Sequence, residues 1–182
     1  MSNYLVISSD GHAGPPPEVY REYLAEDFRQ AFDEHQAAAE AGRMVNVDFV
    51  DEWDAETGDH EMKAGYDPTV RDAILDEEGV AAEVLFPDAD VLGTGRLASS
   101  PFGSGLGSGA DADPAAVKAG ARAHNRWLAD FCATNPQRRI GVAVVPVTAG
   151  VDDAVAEVHH AAERGLRGVM IPTRWFDAPA YL

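Results

Sequence analysis

Tyr4-Leu5-Val6-Ile7-Ser8-Ser9-Asp10-Gly11-His12-Ala13-Gly14-Pro15-Pro16-Pro17 is the stretch on which the fold turns. Its apolar first half, Tyr4 to Ser9, reads as a buried β-strand, with Asp10-Gly11-His12 at its mouth. Residues two apart on a strand point to the same side. A carboxylate and an imidazole placed in this way at a strand end can grip one divalent cation. Asp-Gly is also a common turn pair, and on spacing alone both readings stand. The triple proline excludes a helix directly after the strand.

Outward from this stretch, strands and helices alternate. Glu18 to Gln30 places apolar residues at Val19, Tyr23, Leu24 and Phe28, which predicts a short amphipathic helix, and alanine-rich Gln36 to Ala41 predicts more helix. Asp51 to Glu61 is acidic and reads as exposed. Asp67-Pro68 is a helix start, with Asp as cap and Pro in the first turn, and Gly79 is a stop. Glu83-Val84-Leu85-Phe86-Pro87 reads as a second strand, followed by a Gly- and Ser-rich loop from Asp88 to Ala112. Its alternating glycines have no lysine nearby, so a phosphate cradle is not the expectation. Asp113-Pro114 starts the next helix, with Val117, Ala121, His124, Leu128 and Phe131 as one buried stripe. Ile140 to Val147 is a nearly all-apolar third strand, covered on both faces. Asp152-Asp153 caps a helix with the stripe Val151, Val155, Val158 and Ala162, closed by Gly165, and Gly168 to Pro172 is a fourth strand.

Buried strands alternating with amphipathic helices predict an α/β fold on a parallel sheet. A doubly wound sheet announces itself by a Gly-rich turn after its first strand. Asp-Gly-His and a triple proline stand there instead. The expectation is therefore a TIM-type (β/α)8 barrel, present as a partial barrel of about four parallel strands in a single domain over residues 1–182. A doubly wound nucleotide- or flavin-binding module is the third choice.

Acids outnumber bases 31 to 14, a net charge of −17 that repels phosphate backbones and argues against a nucleic-acid partner. A single cysteine, Cys132, excludes an internal disulfide and reads as a half-buried helix thiol. No signal peptide or membrane span is legible, so the expectation is a cytoplasmic protein without a membrane partner.

The order of motifs resembles a known family. Asp10-Gly11-His12 followed by prolines and Tyr20-Arg21-Glu22-Tyr23-Leu24 is similar to the start of the amidohydrolase-related family. This is the branch of the amidohydrolase superfamily that includes aminocarboxymuconate-semialdehyde decarboxylase. Leu75 to Val80 with Glu83 to Pro87, Asn125 to Cys132, Pro136-Gln137-Arg138 before Ile140-Gly141 and Val144-Val145-Pro146, and Glu163 to Val169 carry the resemblance onward. It implies a metal-dependent barrel that hydrolyses or decarboxylates a small molecule, with Asp10 and His12 as ligands of zinc or manganese. The commoner family pattern is His-x-His, which this chain replaces with Asp-x-His. The family's further histidines and a last-strand aspartate lie on later strands, whereas this sequence reaches Leu182 just after its fourth strand. The expectation is an N-terminal half-barrel, truncated or part of a longer product, with an incomplete ligand set and weak metal binding of its own.

Arg174, with Trp175 beside it, follows the fourth strand on the expected catalytic face. Its guanidinium can hold a substrate carboxylate by a forked hydrogen bond, or simply be solvated. No general acid or base is assigned. His159 and His160 read as surface or packing residues, His124 as a packed, hydrogen-bonded histidine, and His60 in Asp59-His60-Glu61 and His35 as unsupported candidates. The alternative to an enzyme is a non-catalytic half-barrel whose two open sheet edges pair with another copy.

Overall fold

The computed structural model describes residues 4–43, 63–87 and 113–171. Four strands, β1 (Val6–Ala13), β2 (Val80–Pro87), β3 (Arg139–Val144) and β4 (Gly168–Met170), form one parallel sheet in the order β1-β2-β3-β4. The helices are α1 (Pro17–Tyr23), α2 (Glu26–Arg43), α3 (Pro68–Glu77), α4 (Pro114–Ala133) and α5 (Val151–Glu163), with a 3-10 turn at Val147–Ala149. This is the α/β architecture on a parallel sheet that the alternating pattern predicts.

The predicted local signals hold where the backbone needs them. Asp67 Oδ1 accepts hydrogen bonds from the amides of Thr69 at 2.8 Å and Val70 at 3.2 Å, with Pro68 in the first turn of α3. Asp113 accepts from the Ala115 amide at 3.0 Å at the head of α4. Gly79 and Gly165 end α3 and α5 at φ 69° and 93°, a conformation that side chains disfavour. In α4 every residue of the predicted stripe is buried. So are Ala116, Ala119, Ala123 and Trp127 on its other sides, because α4 is sandwiched between the sheet and α1–α2. The Tyr20 hydroxyl donates to the Gly120 carbonyl at 2.7 Å and stitches α1 onto α4.

One face of the sheet carries the helices. The register pairs Gly11 with Leu85 and Leu85 with Gly141, so these residues share a face. Leu85 and Ala143 cluster there with Leu128 and Cys132 of α4, Ala161 of α5, and Leu166. Burial pushes the Cys132 thiol up to about 11. Asn125 of α4 locks the end of β3: its amide group donates to the Val144 carbonyl at 2.9 Å, and its oxygen accepts from the Val144 amide at 2.8 Å. The same Nδ2 donates to buried Glu157 of α5 at 2.8 Å, so one side chain ties helix, strand and next helix together.

Several expectations are corrected. The first strand is not a buried Tyr4–Ser9 segment: Tyr4 is 89% and Leu5 76% exposed, and Val6 and Ile7 are exposed too, because β1 is an edge. Asp10-Gly11-His12 lies within the strand, near its end, rather than beyond it. Pro17 begins α1, since a proline in the first turn loses no helical bond. The single helix expected over 18–30 is split at Leu24-Ala25 into α1 and α2. Asp152 and Asp153 occupy the first turn of α5, with Gly150 at its cap. The valine stripe of α5 faces outward, with Val151 71% exposed; Ala154, Glu157 and Ala161 face the core instead. The Asn125–Glu157 bond draws that other face inward. Among the described residues no helix is long and apolar enough to cross a membrane.

His124 is buried as predicted, 5.9 Å from the Trp127 ring, but its Nε2 has no hydrogen-bond partner among the described residues. Burial lowers its pKa to about 4. The unfolded chain therefore binds a proton that the folded chain refuses. The contribution to stability is present above about pH 6.5 and is lost as pH falls through about 4. Urea titrations should show stability dropping between pH 7 and 5 by about 2 kcal/mol more in the wild type than in His124→Leu. Equal slopes would show that His124 is not held neutral.

Candidate functional site

Asp10 and His12 project from the same face of β1, the face opposite Gly11, on which no described helix packs against them. His12 Nε2 lies 3.6 Å from Asp10 Oδ1, and the side chains are 53% and 89% exposed respectively. His12 is the penultimate residue of the strand, so the pair sits toward the carboxyl end of the sheet. The register shifts between Ser8 and Gly11, so that Ser8 pairs with Glu83 and Gly11 with Leu85. Ser9 and Asp10 together oppose one residue of β2, a bulge that re-aims side chains. Phe86 is the Cα partner of His12, and its ring is tilted 38° to the imidazole at 6.2 Å, forming an apolar wall on one side.

Gly11 points the other way, and its lack of a side chain has a definite cause. A Cβ there would lie 2.9 Å from Arg71 Nη2, 3.1 Å from the Val84 carbonyl oxygen and 3.2 Å from Glu83 Oε2. Beneath the Asp-Gly-His segment runs a buried ion pair. Arg71 of α3 donates from Nη2 to Glu83 Oε2 at 2.6 Å and from Nε to the same oxygen at 3.0 Å. Arg71 Nη1 also donates to the His12 carbonyl at 3.0 Å and so grips the backbone of the candidate ligand itself. Glu83 is 1% exposed. A second guanidinium, Arg139, approaches Glu83 Oε1 with its Nε at 3.9 Å and donates from Nη2 to Asp72 at 2.7 Å. Its Nη1 donates to Thr134 Oγ1, and its guanidinium lies 4.7 Å from the centre of the Phe131 ring. Two cations and two carboxylates thus balance, with Glu83 and Arg139 buried and Arg71 and Asp72 nearer the surface.

Nothing in the first strand foretells this brace. The available signal was a carboxylate, Glu83, within an otherwise apolar strand, twelve residues after an arginine on the preceding helix. The role of Asn125 was equally invisible, since a polar residue beside a helical stripe does not name its partner. The other candidates fall elsewhere. His159 and His160 are exposed on α5, and His35 is half-buried on α2. His60, Arg174, Trp175, the acidic 51–61 segment and the Gly-rich 88–112 loop lie outside the described residues.

The two donors fit one corner of a divalent cation's coordination shell: a carboxylate and an imidazole, close together and open to solvent. They are fewer than the three protein ligands usual for a catalytic zinc. Among the described residues no cluster of three or more His, Cys, Asp or Glu side chains could hold a metal. Compared with known proteins, the chain matches no family model. A search of curated proteins likewise finds no match.

Gly11→Ala should lower stability by about 1–3 kcal/mol in urea denaturation, because the added methyl group must displace half-buried Arg71 or buried Glu83. A variant as stable as wild type would show that the space beneath β1 is not filled in this way.

Proposed function

We propose that this chain contributes its four strands to a TIM-type (β/α)8 barrel and that Asp10 and His12 belong to the seat of a zinc or manganese ion. The enzyme would be a hydrolase or carboxy-lyase of the amidohydrolase-related kind, acting on a C–N or C–C bond of a small organic acid. The observation that carries this reading is the pairing of Asp10 and His12 on one face, near the carboxyl end of β1. The sheet supports it. Strands in sequential order with their helices on one face curl toward a barrel, whereas a doubly wound sheet reverses its strand order at a switch point.

When bound, the metal would supply Lewis acidity toward a substrate oxygen or water. The chain's own residues perform the positioning. Asp10 offers a negative oxygen and His12 a nitrogen. Arg71 holds the His12 carbonyl, and Phe86 shields one side of the imidazole. Arg174 is the proposed carboxylate holder for the substrate. Hydrolysis and decarboxylation both use this seat, and substrate screening against either class distinguishes them.

A second reading has its own observation. Among the described residues β1 and β4 are the sheet edges, and both carry exposed apolar residues, Tyr4 to Ile7 leading into β1, and Val169 with Ile171 in and just after β4. Edges with no partner strand among the described residues invite strand pairing, and a self-assembling, non-catalytic module would use them.

Calorimetric titration with Zn2+ should show a saturable site above any general affinity in the wild type, weakened at least tenfold by His12→Ala and by Asp10→Asn. Unchanged affinity in both variants would overturn the ligand assignment. In sedimentation, edge pairing predicts a dimer that Ile7→Lys converts to a monomer; a monomeric wild type would sink the second reading.

A further inference from the structure

On the far side of α4 from the sheet lies a cavity of about 670 Å³, within the range of small-molecule pockets. Its walls come from three helices and a linker: Ala115, Lys118, Ala119, Arg122 and Arg126 of α4, Ala156 and His160 of α5, and Ala25 and Phe28 around the start of α2. On α4 these positions fall on one face, since they are spaced by three and four residues. Ala119 is buried at its base, the exposed Ala25, Ala115 and Ala156 add small apolar surfaces around it, and Phe28 lines it as well. The rim is basic in a chain whose net charge is −17.

The rim charges do not cancel. Lys118 pairs with Asp153, and Arg122 donates from Nε to buried Glu157 at 3.2 Å. Arg126 is different. Its Nε donates to the Arg122 carbonyl at 3.1 Å and its Nη2 to the Tyr23 carbonyl at 2.8 Å. Among the described residues it has no carboxylate partner. Two neutral carbonyls orient the guanidinium without neutralising it, and its Nη1 hydrogens and one Nη2 hydrogen are left over. Among the described residues, three cations against two carboxylates leave one positive charge beside a pocket partly lined by alanine and phenylalanine.

We propose that this cavity binds an organic monocarboxylate with an apolar body, its head on Arg126 and its tail over Ala119 and Phe28. One surplus charge suits a single anionic head rather than a polyphosphate. A planar guanidinium matches a carboxylate by two parallel hydrogen bonds. The site lies on the helical layer, apart from Asp10 and His12, and stands or falls independently of them.

Octanoate is the probe, titrated calorimetrically into the full chain, with octanamide as its neutral counterpart and inorganic phosphate as competitor. Octanoate should bind one to one, and octanamide at least tenfold more weakly. Arg126→Gln should weaken octanoate about tenfold or more, as expected for a lost hydrogen bond between charged groups. Ala156→Trp, which fills the pocket from an exposed position, should abolish binding. Absence of saturable octanoate binding, equal affinity for octanamide, or unchanged affinity in both variants would overturn the proposal. Displacement by phosphate at concentrations similar to octanoate would overturn the carboxylate assignment.

Discussion

The buried contact between Arg71 and Glu83 sets the position of nearly everything at the front of this molecule. Removing either partner of such a pair typically costs about 3–5 kcal/mol, because the other charge is stranded. Replacing both by apolar groups of the same shape is often close to neutral. The pair is therefore better understood as a device of geometry than as a source of stability. It joins α3 to β2, and through the His12 carbonyl it joins both to β1. Arg139 and Asp72 extend it to β3. An edge strand that is otherwise exposed thereby receives a fixed anchor from the helical side.

The sheet divides the molecule into two chemistries. On one face, Leu85, Ala143, Leu128 and Leu166 make a dry interior, with its charges paired at the start of β3. The opposite face carries Asp10, His12 and Phe86 on its first two strands. Gly11 belongs to the interior and its two neighbours to the outside. The alternation of the strand thus converts a three-residue segment into a bridge between a structural ion pair and a candidate cation seat. The sequential strand order puts the described helices that pack on the sheet on one of its faces.

Much of the fold was legible because it rests on local chemistry. Asp67-Pro68, Asp113-Pro114, Gly79 and Gly165 mark helix ends by the hydrogen bonds and dihedrals they permit, and they do so in the structure. The alternation of apolar runs announced a parallel sheet. What failed was whatever depended on distant partners. Tyr4 to Ile7 are as apolar as any core strand, but β1 is an edge, so they are exposed. The valines of α5 form a regular stripe, yet Asn125 captures Glu157 and turns the other face inward. Of the candidate site, the shared face of Asp10 and His12 followed from strand geometry alone. The reason for Gly11 did not, because it lies in Arg71, sixty positions away along the chain.

An acidic chain attracts divalent cations at many places, and only residue-level detection separates a seat from a general affinity. Titrating Mn2+ into 15N-labelled protein and following the loss of amide signals makes that distinction. If Asp10 and His12 hold a cation, the amides of Asp10, Gly11, His12 and their neighbour Phe86 should broaden first, at the lowest metal concentration. Early broadening confined to other acidic segments, with the Asp-Gly-His signals still sharp, would contradict it.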